Sequence, residues 1–207
     1  MIFEANNLSI NINKKIIISD FSLSVSQGEF VFVIGKSGSG KTTLINTLSL
    51  LNPSYSGDLM YFGTQIDRKY ITHLRRNVIS YMFQNYGLLD NETVWENLKI
   101  ASRYNKAFQK ESLLQLISDF SLPASILNEK VYQLSGGEQQ RVALIRTLIK
   151  PYDIIFADEP TGNLDRENAE FILNYLHDLV ENQKKSVVMV THENSYSNYA
   201  TSIVDLN

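Results

Sequence analysis

The stretch Gly35-Lys36-Ser37-Gly38-Ser39-Gly40-Lys41-Thr42 constrains the fold of this chain more than any other. It has the spacing G-x-x-x-x-G-K-[ST] and stands between an apolar run, Phe30 to Ile34, and a helix-like run, Thr43 to Leu51. Strand, glycine-rich loop and helix in that order are what a phosphate-binding loop requires. The glycines let backbone N–H groups turn inward on phosphate oxygens, and the start of the helix adds a partial positive charge. Residues Gly35 to Thr43 are expected to contact the nucleotide, with Lys41 reaching the β- and γ-phosphates and the Thr42 hydroxyl ligating Mg²⁺. The implied ligands are ATP and Mg²⁺.

A chain of 207 residues buries one good core and at most a small second lobe, so a single nucleotide-binding unit is expected. The net charge of −3 and the pI near 5.6 provide no general attraction to nucleic acid or to anionic lipid. Any link to a membrane must then run through a protein partner. No cysteine is present, which excludes disulfides and thiolate metal sites. Met1-Ile2-Phe3-Glu4 lacks the basic and apolar regions of a signal peptide, and no apolar run reaches the length that spans a bilayer. A cytoplasmic chain is expected.

Residues 2–12 alternate loosely, and Lys15 to Ser19, Ser22 to Val25 and Gly57 to Phe62 read as short strands of an antiparallel sheet. Phe30 to Ile34 is near-continuously apolar, as strands of a parallel sheet are. Pro53 and Gly57 mark a loop, and Asn77 to Phe83 reads as a further strand. Between Gln84 and Ser135 the period becomes helical, with Val94, Leu98 and Ala101 on one face, then Leu113, Leu116, Ile117 and Phe120 on another. Pro123 can open a short helix. Gly136 to Ile149 and Glu167 to Glu181 read as helices alternating with apolar strands at Asp153 to Ala157 and Ser186 to Val190, which argues for a mostly parallel sheet. The expected fold is an α/β P-loop NTPase core with an antiparallel β subdomain, residues 1–84 and 136–207, and a helical subdomain inserted at 85–135.

In parallel α/β sheets ligands sit at the carboxyl ends of the strands. Besides the glycine-rich loop, Asp158-Glu159 and His192 fall there. Asp158 is placed to hold Mg²⁺ through its water shell, Glu159 to accept a proton from an attacking water, and His192 to contact the γ-phosphate. Ser135 and Glu138 have capping-box spacing, so a helix should begin at Ser135 with free N–H groups beside Gly136 and Gly137, a second anion site.

Taken together these stretches resemble the ATP-binding subunit of ABC transporters over nearly the whole chain. Gly35 to Thr42 is similar to Walker A, Gln84 to the Q-loop, Leu134-Ser135-Gly136-Gly137-Glu138-Gln139-Gln140 to the signature, Ile154 to Glu159 to Walker B, Asn163-Leu164-Asp165 to the D-loop and His192 to the switch histidine. The resemblance implies a head-to-tail homodimer in which Ser135 and Gly137 of one subunit close over ATP held by Lys41 of the other. It implies that Asp165 adjoins the nucleotide and that Gln84 senses Mg²⁺, linking the site to the helical lobe. An integral membrane permease is the implied partner, holding the chain on the inner face of the cell membrane. An aromatic residue that stacks on adenine is expected near the end of the first strand; by spacing the position is Ile12.

Asp158 to Asp165 resembles the branch of lipoprotein-release, macrolide-export and cell-division ATPases, and Phe83 to Val94 is similar to subunits assigned to bacteriocin export. Two functions follow from that branch. One is an ATPase that powers export of a peptide, lipid or drug-like substrate; the other is an ATPase that transmits force in a cell-division complex and transports nothing. The apolar residues Tyr86, Leu88 and Leu89 after Gln84, with Trp95, suggest a groove for a short cytoplasmic helix of the permease.

Overall fold

A computed structural model describes residues 1–52, 54–105, 108–162 and 164–206. Pro53 of the expected loop and Asn163 of the D-loop stretch lie outside the described residues. Strand β1 (Phe3–Ile12) pairs antiparallel with β2 (Lys15–Val25) and with β4 (Ser56–Tyr61), and β5 (Thr64–Gln65) extends that sheet. The two strands expected between Lys15 and Val25 are one. Register shifts absorb Asn7 and Asp20, both at positive φ, and the Asn7 amide donates to Asp20 Oδ1 at 2.6 Å across the irregularity.

The second sheet is parallel throughout, in the order β6 (Ile79–Met82), β7 (Ile154–Asp158), β8 (Ser186–Thr191), β3 (Phe30–Ile34), β9 (Ser202–Asp205). Side chains alternate across it. Val31, Val33, Phe156 and Val190 face a core shared with the antiparallel sheet and helix α1 (Lys41–Leu48). Phe30, Phe32, Ile155 and Met189 face a second core under α5 (Gly136–Ile149) and α6 (Arg166–Gln183). Helices α3 (Val94–Ser102) and α4 (Lys110–Asp119) bury Leu98, Leu113 and Ile117 in that same second core, so the helical stretch is welded to α5 through apolar contacts.

Three elements escape a search for periodicity. Helix α2 (Arg68–Asn77) is capped by Asp67, whose side chain accepts from the Tyr70 N–H at 2.7 Å, yet Leu74 alone of its residues is buried. Half-buried Tyr70 and Ile71 join Leu74 in a stripe of three residues set among charged ones. A 3₁₀ turn, Asn194–Tyr199, and the edge strand β9 complete the chain.

Candidate nucleotide site

Helix α1 begins on the motif lysine itself, because Gly40 at φ +94° reverses the chain directly before it. A Cβ at Gly40 would stand 2.9 Å from Ile17 Cγ2, so only glycine fits under β2 there. Lys41 is buried, and its ammonium donates to the carbonyls of Gly35 at 2.7 Å and Lys36 at 3.0 Å. Those bonds hold the charge inside the loop.

The strand register brings the expected strand-end groups together. Ile34 lies opposite Thr191, and Asp158 opposite Val190, so the ends of β3, β7 and β8 are level. Thr42 Oγ1 donates to Asp158 Oδ1 at 3.1 Å across this junction. Glu159 turns the other way at φ 45°, its N–H donating to Val190 O at 3.0 Å. Its carboxylate receives three groups: Lys41 Nζ lies 3.8 Å from Oε1, while His192 Nδ1 at 3.2 Å and Gln84 Nε2 at 3.5 Å meet Oε2. Burial pushes the Asp158 carboxyl above its ordinary value and the Glu159 charge adds to the rise, against the hydrogen bonds from Thr42 and Tyr81. A dication beside Thr42 would oppose that rise.

Ser135, Gly136, Gly137, Glu138 and Asp165 form a second cluster. The Ser135 N–H and hydroxyl both donate to Glu138 Oε2, at 2.8 and 2.7 Å, and the Glu138 N–H donates to Ser135 Oγ at 3.3 Å. The bonds from Ser135 hold the Glu138 carboxyl below its usual range. Asp165 caps α6 by accepting from the Asn168 N–H at 2.9 Å and from its amide at 2.8 and 3.0 Å. Arg141 donates to Asn168 Oδ1 at 3.0 Å, tying the start of α5 to the start of α6. The two clusters touch through Gln140, whose amide donates to the carbonyl of Pro160, next to Glu159.

The family model described as ABC transporter matches residues 18–162. The chain belongs to the ABC transporter ATP-binding family. It is similar to the lipoprotein-releasing system ATP-binding protein LolD of Treponema denticola, 40% identical over 87% of this chain and 82% of that protein. The macrolide export ATP-binding/permease protein MacB of Campylobacter jejuni is 37% identical over 100% of this chain; the chain spans 33% of MacB. Among solved structures, the dimeric post-hydrolysis state of the ATP-binding cassette MJ0796 bound to ADP and Pi superimposes with a TM-score of 0.88, at 31% identity over 99% of this chain and 94% of that one. The chain is therefore an ABC-type ATPase that binds ATP with Mg²⁺.

The loop of this ABC ATPase suits those ligands. Ser39 Oγ is buried in the loop with no partner among the described residues, and the space a Cβ on Gly38 would enter is open. Among the described residues no three acidic or histidine side chains gather into a metal cage. One hydroxyl and one carboxylate, Thr42 and Asp158, match Mg²⁺, which keeps several waters and takes phosphate oxygens as ligands.

Ile12 is 40% exposed at the tip of the β1–β2 hairpin, opposite Lys15. At the expected base position an aliphatic side chain would offer apolar contact and no ring, and would forfeit roughly 1–3 kcal/mol of base stacking. Ile12→Tyr is expected to tighten ATP binding by about tenfold, and GTP should compete with ATP within about tenfold in the unchanged chain. Fluorescent-nucleotide displacement measures both; a strong ATP preference without the substitution would place stacking on another residue.

The groove beside Gln84 differs from the one expected. Leu88 and Trp95 pack against the second core, and Leu89 points out at 49% exposure while buried Asn97 holds its backbone. The groove present, about 480 Å³, lies on the other side of Gly87, with Phe83, Ile100, Tyr104 and Leu51 on its walls and Arg75 and Lys150 at its edge. None of Tyr86, Leu88, Leu89 and Trp95 lines it. Arg146, on α5, stands in this groove and donates to the carbonyls of Tyr86 at 2.8 Å and Gly87 at 2.6 Å. Sequence reasoning missed that anchor, which holds the turn after Gln84, because no local spacing links residues 86 and 146.

Proposed function

We propose that this chain is the ATP-hydrolysing subunit of a membrane transport complex, powering export of a peptide, lipid or drug-like substrate through a separate permease. The observation that carries this is the convergence of Lys41, Gln84 and His192 on the Glu159 carboxylate, beside the Thr42–Asp158 pair. Glu159 is the general base for the attacking water. His192 contacts the γ-phosphate, and its Nδ1, 3.2 Å from Glu159 Oε2, orients that carboxylate. Lys41 and residues Gly35 to Thr43 hold the phosphates, and Thr42, Asp158 and Gln84 hold Mg²⁺. When bound, the ion neutralises charge that develops on the phosphates. The signature residues Ser135 to Glu138 and Asp165 complete the site of a second copy in a head-to-tail dimer, an assembly supported by the dimeric cassette of similar fold.

The permease presents a short cytoplasmic helix to the groove beside Gln84, and residues 85–135 transmit its movement. No helix among the described residues is long and apolar enough to cross a membrane, and in this reading the chain is held at the inner face of the cell membrane by that contact. The groove is apolar in its walls and carries Arg75, Arg76, Arg146 and Lys150, which suits a helix with an acidic end. Ile100 is 42% exposed in it, so Ile100→Asp can be made without breaking the core. That variant is expected to keep its own ATPase rate and melting temperature but to lose co-purification with the permease from host membranes. Retention of the permease would remove the groove from the interface. Mass spectrometry of the material that co-purifies with the unchanged chain tests the transport assignment itself, since a permease with a large extracellular domain and a cell-division complex are different proteins.

A further inference from the structure

Strand β6 carries Tyr81, a residue that none of the roles above employs. The strand is the edge of the parallel sheet next to β7, and Tyr81 lies in register with Phe156, Met82 with Ala157. The half-buried side chain reaches past the end of β7. Its hydroxyl is 2.7 Å from Asn46 Oδ1 and 3.4 Å from Asp158 Oδ2.

Both neighbours belong to the metal side of the site. Asn46 follows Thr42 by four residues on α1, so the two share one face of that helix. Thr42 holds Asp158 Oδ1 at 3.1 Å while Tyr81 faces Oδ2, so a hydroxyl addresses each oxygen of this carboxylate. A carboxylate tied at one oxygen can still swing about its χ2 torsion, whose preferences are broad. A second tie at the other oxygen removes that freedom.

The phenol has one proton for two acceptors in reach. Half a turn of the Asn46 amide exchanges two atoms of nearly equal size, after which Asn46 donates to the phenol oxygen and the phenol proton goes to Asp158. The chain Asn46 to Tyr81 to Asp158 is then continuous. A phenol, with an ordinary pKa of about 10, is a donor at neutral pH.

The ring has a second use. Tyr81 and Phe83, with centroids 4.5 Å apart, border both the groove beside Gln84 and the small cavity lined by Thr42, Asn46, Gln84 and Asp158. A residue serving only to fill the strand edge would need no hydroxyl at that boundary.

We propose that Tyr81 is a positioning residue for Mg²⁺, its hydroxyl, backed by Asn46, fixing the Asp158 carboxylate in the orientation that meets the ion's water shell. The proposal rests on the assignment of Asp158 to the metal. Outer-shell partners of metal-binding groups are worth roughly 10–100-fold in metal affinity. Tyr81→Phe deletes one oxygen and keeps the ring. The test reads Mn²⁺ affinity in the presence of ADP by electron paramagnetic resonance, and ADP affinity in excess EDTA by calorimetry, for the unchanged chain, Tyr81→Phe, Asn46→Ala and Asp158→Asn. Tyr81→Phe is expected to weaken Mn²⁺ about tenfold or more with metal-free ADP affinity unchanged. Asn46→Ala, which leaves the strand intact, should show the same pattern at smaller size, and Asp158→Asn a larger loss. If Asp158→Asn weakens Mn²⁺ while Tyr81→Phe and Asn46→Ala stay within twofold of the unchanged chain, the Tyr81 proposal fails and the Asp158 assignment stands. If Asp158→Asn itself leaves Mn²⁺ affinity intact, the Asp158 assignment fails first. If Tyr81→Phe lowers metal and metal-free nucleotide affinity together, the hydroxyl serves the fold and the proposal is overturned.

Discussion

Glu159→Gln is expected to lose roughly 10²- to 10⁴-fold in ATP turnover while binding ATP as tightly as the unchanged chain. The amide has the shape of the carboxylate but accepts no proton from the attacking water. The proposed phosphate contacts are made elsewhere, by Lys41, whose ammonium meets the Gly35 and Lys36 carbonyls, and by the backbone of residues 35–43. The substitution also spares the fold, since the Glu159 N–H bond to Val190 O involves no side chain. With binding intact and hydrolysis stopped, the ATP-bound dimer should accumulate, visible as a rise in light scattering on adding ATP and Mg²⁺. A rate close to that of the unchanged chain would take the role of base away from Glu159. His192→Ala is a useful companion, because its Nδ1 lies 3.2 Å from the same carboxylate and in the proposed mechanism it orients the base without replacing it.

The residues that could be assigned from sequence share a physical property: their partners are fixed by local geometry. Lys41 and Thr42 belong to a loop whose conformation its own glycines dictate, and Asp158, Glu159 and His192 lie at strand ends that a parallel sheet must align. Ser135 and Glu138 lie three residues apart on one helix start. Their adjacency in space follows from the type of element.

Other features depend on residues that only tertiary packing unites. Leu88 and Trp95 read as groove residues because they are apolar and close to Gln84, yet they are partly buried against a core whose buried members lie between Phe30 and Met189. The groove on the other side of Gly87 draws its walls from Leu51, Phe83, Ile100 and Tyr104, which stand on separate segments. Tyr81 reads as one more strand residue until β6, β7 and α1 meet. Helix α2 and strand β9 were hidden for a simpler reason. On α2 the apolar face is only Tyr70, Ile71 and Leu74 among charged residues, and β9 is a mostly exposed edge strand.

A composite site makes the last prediction, that two dead proteins restore activity when mixed. Lys41→Ala removes the ammonium that the Gly35 and Lys36 carbonyls aim into the loop. Ser135→Arg removes the hydroxyl that caps α5 and fills the space beside Gly136 and Gly137 with a bulky cation. The cap loss costs about 1 kcal/mol, which a helix buried along Val142, Leu144 and Ile145 can absorb, so the fold should survive. Each variant alone carries its defect in both sites of a symmetric dimer and should be inactive. In a head-to-tail heterodimer both defects fall on one site, because the Lys41→Ala loop faces the Ser135→Arg signature, and the other site is intact. Random exchange makes half the dimers mixed, so recovery of about a quarter of the unchanged rate is expected. ATPase assays on a mixing series, with native mass spectrometry to count heterodimers, measure it. The cluster that holds Ser135 in place, through Glu138 and through Arg141, Asn168 and Asp165, is then part of the partner's site rather than of its own. Mixtures that contain heterodimers and stay inactive would count against a site completed across the dimer, and crosslinking of an ATP analogue to Ser135 within a single copy would overturn it.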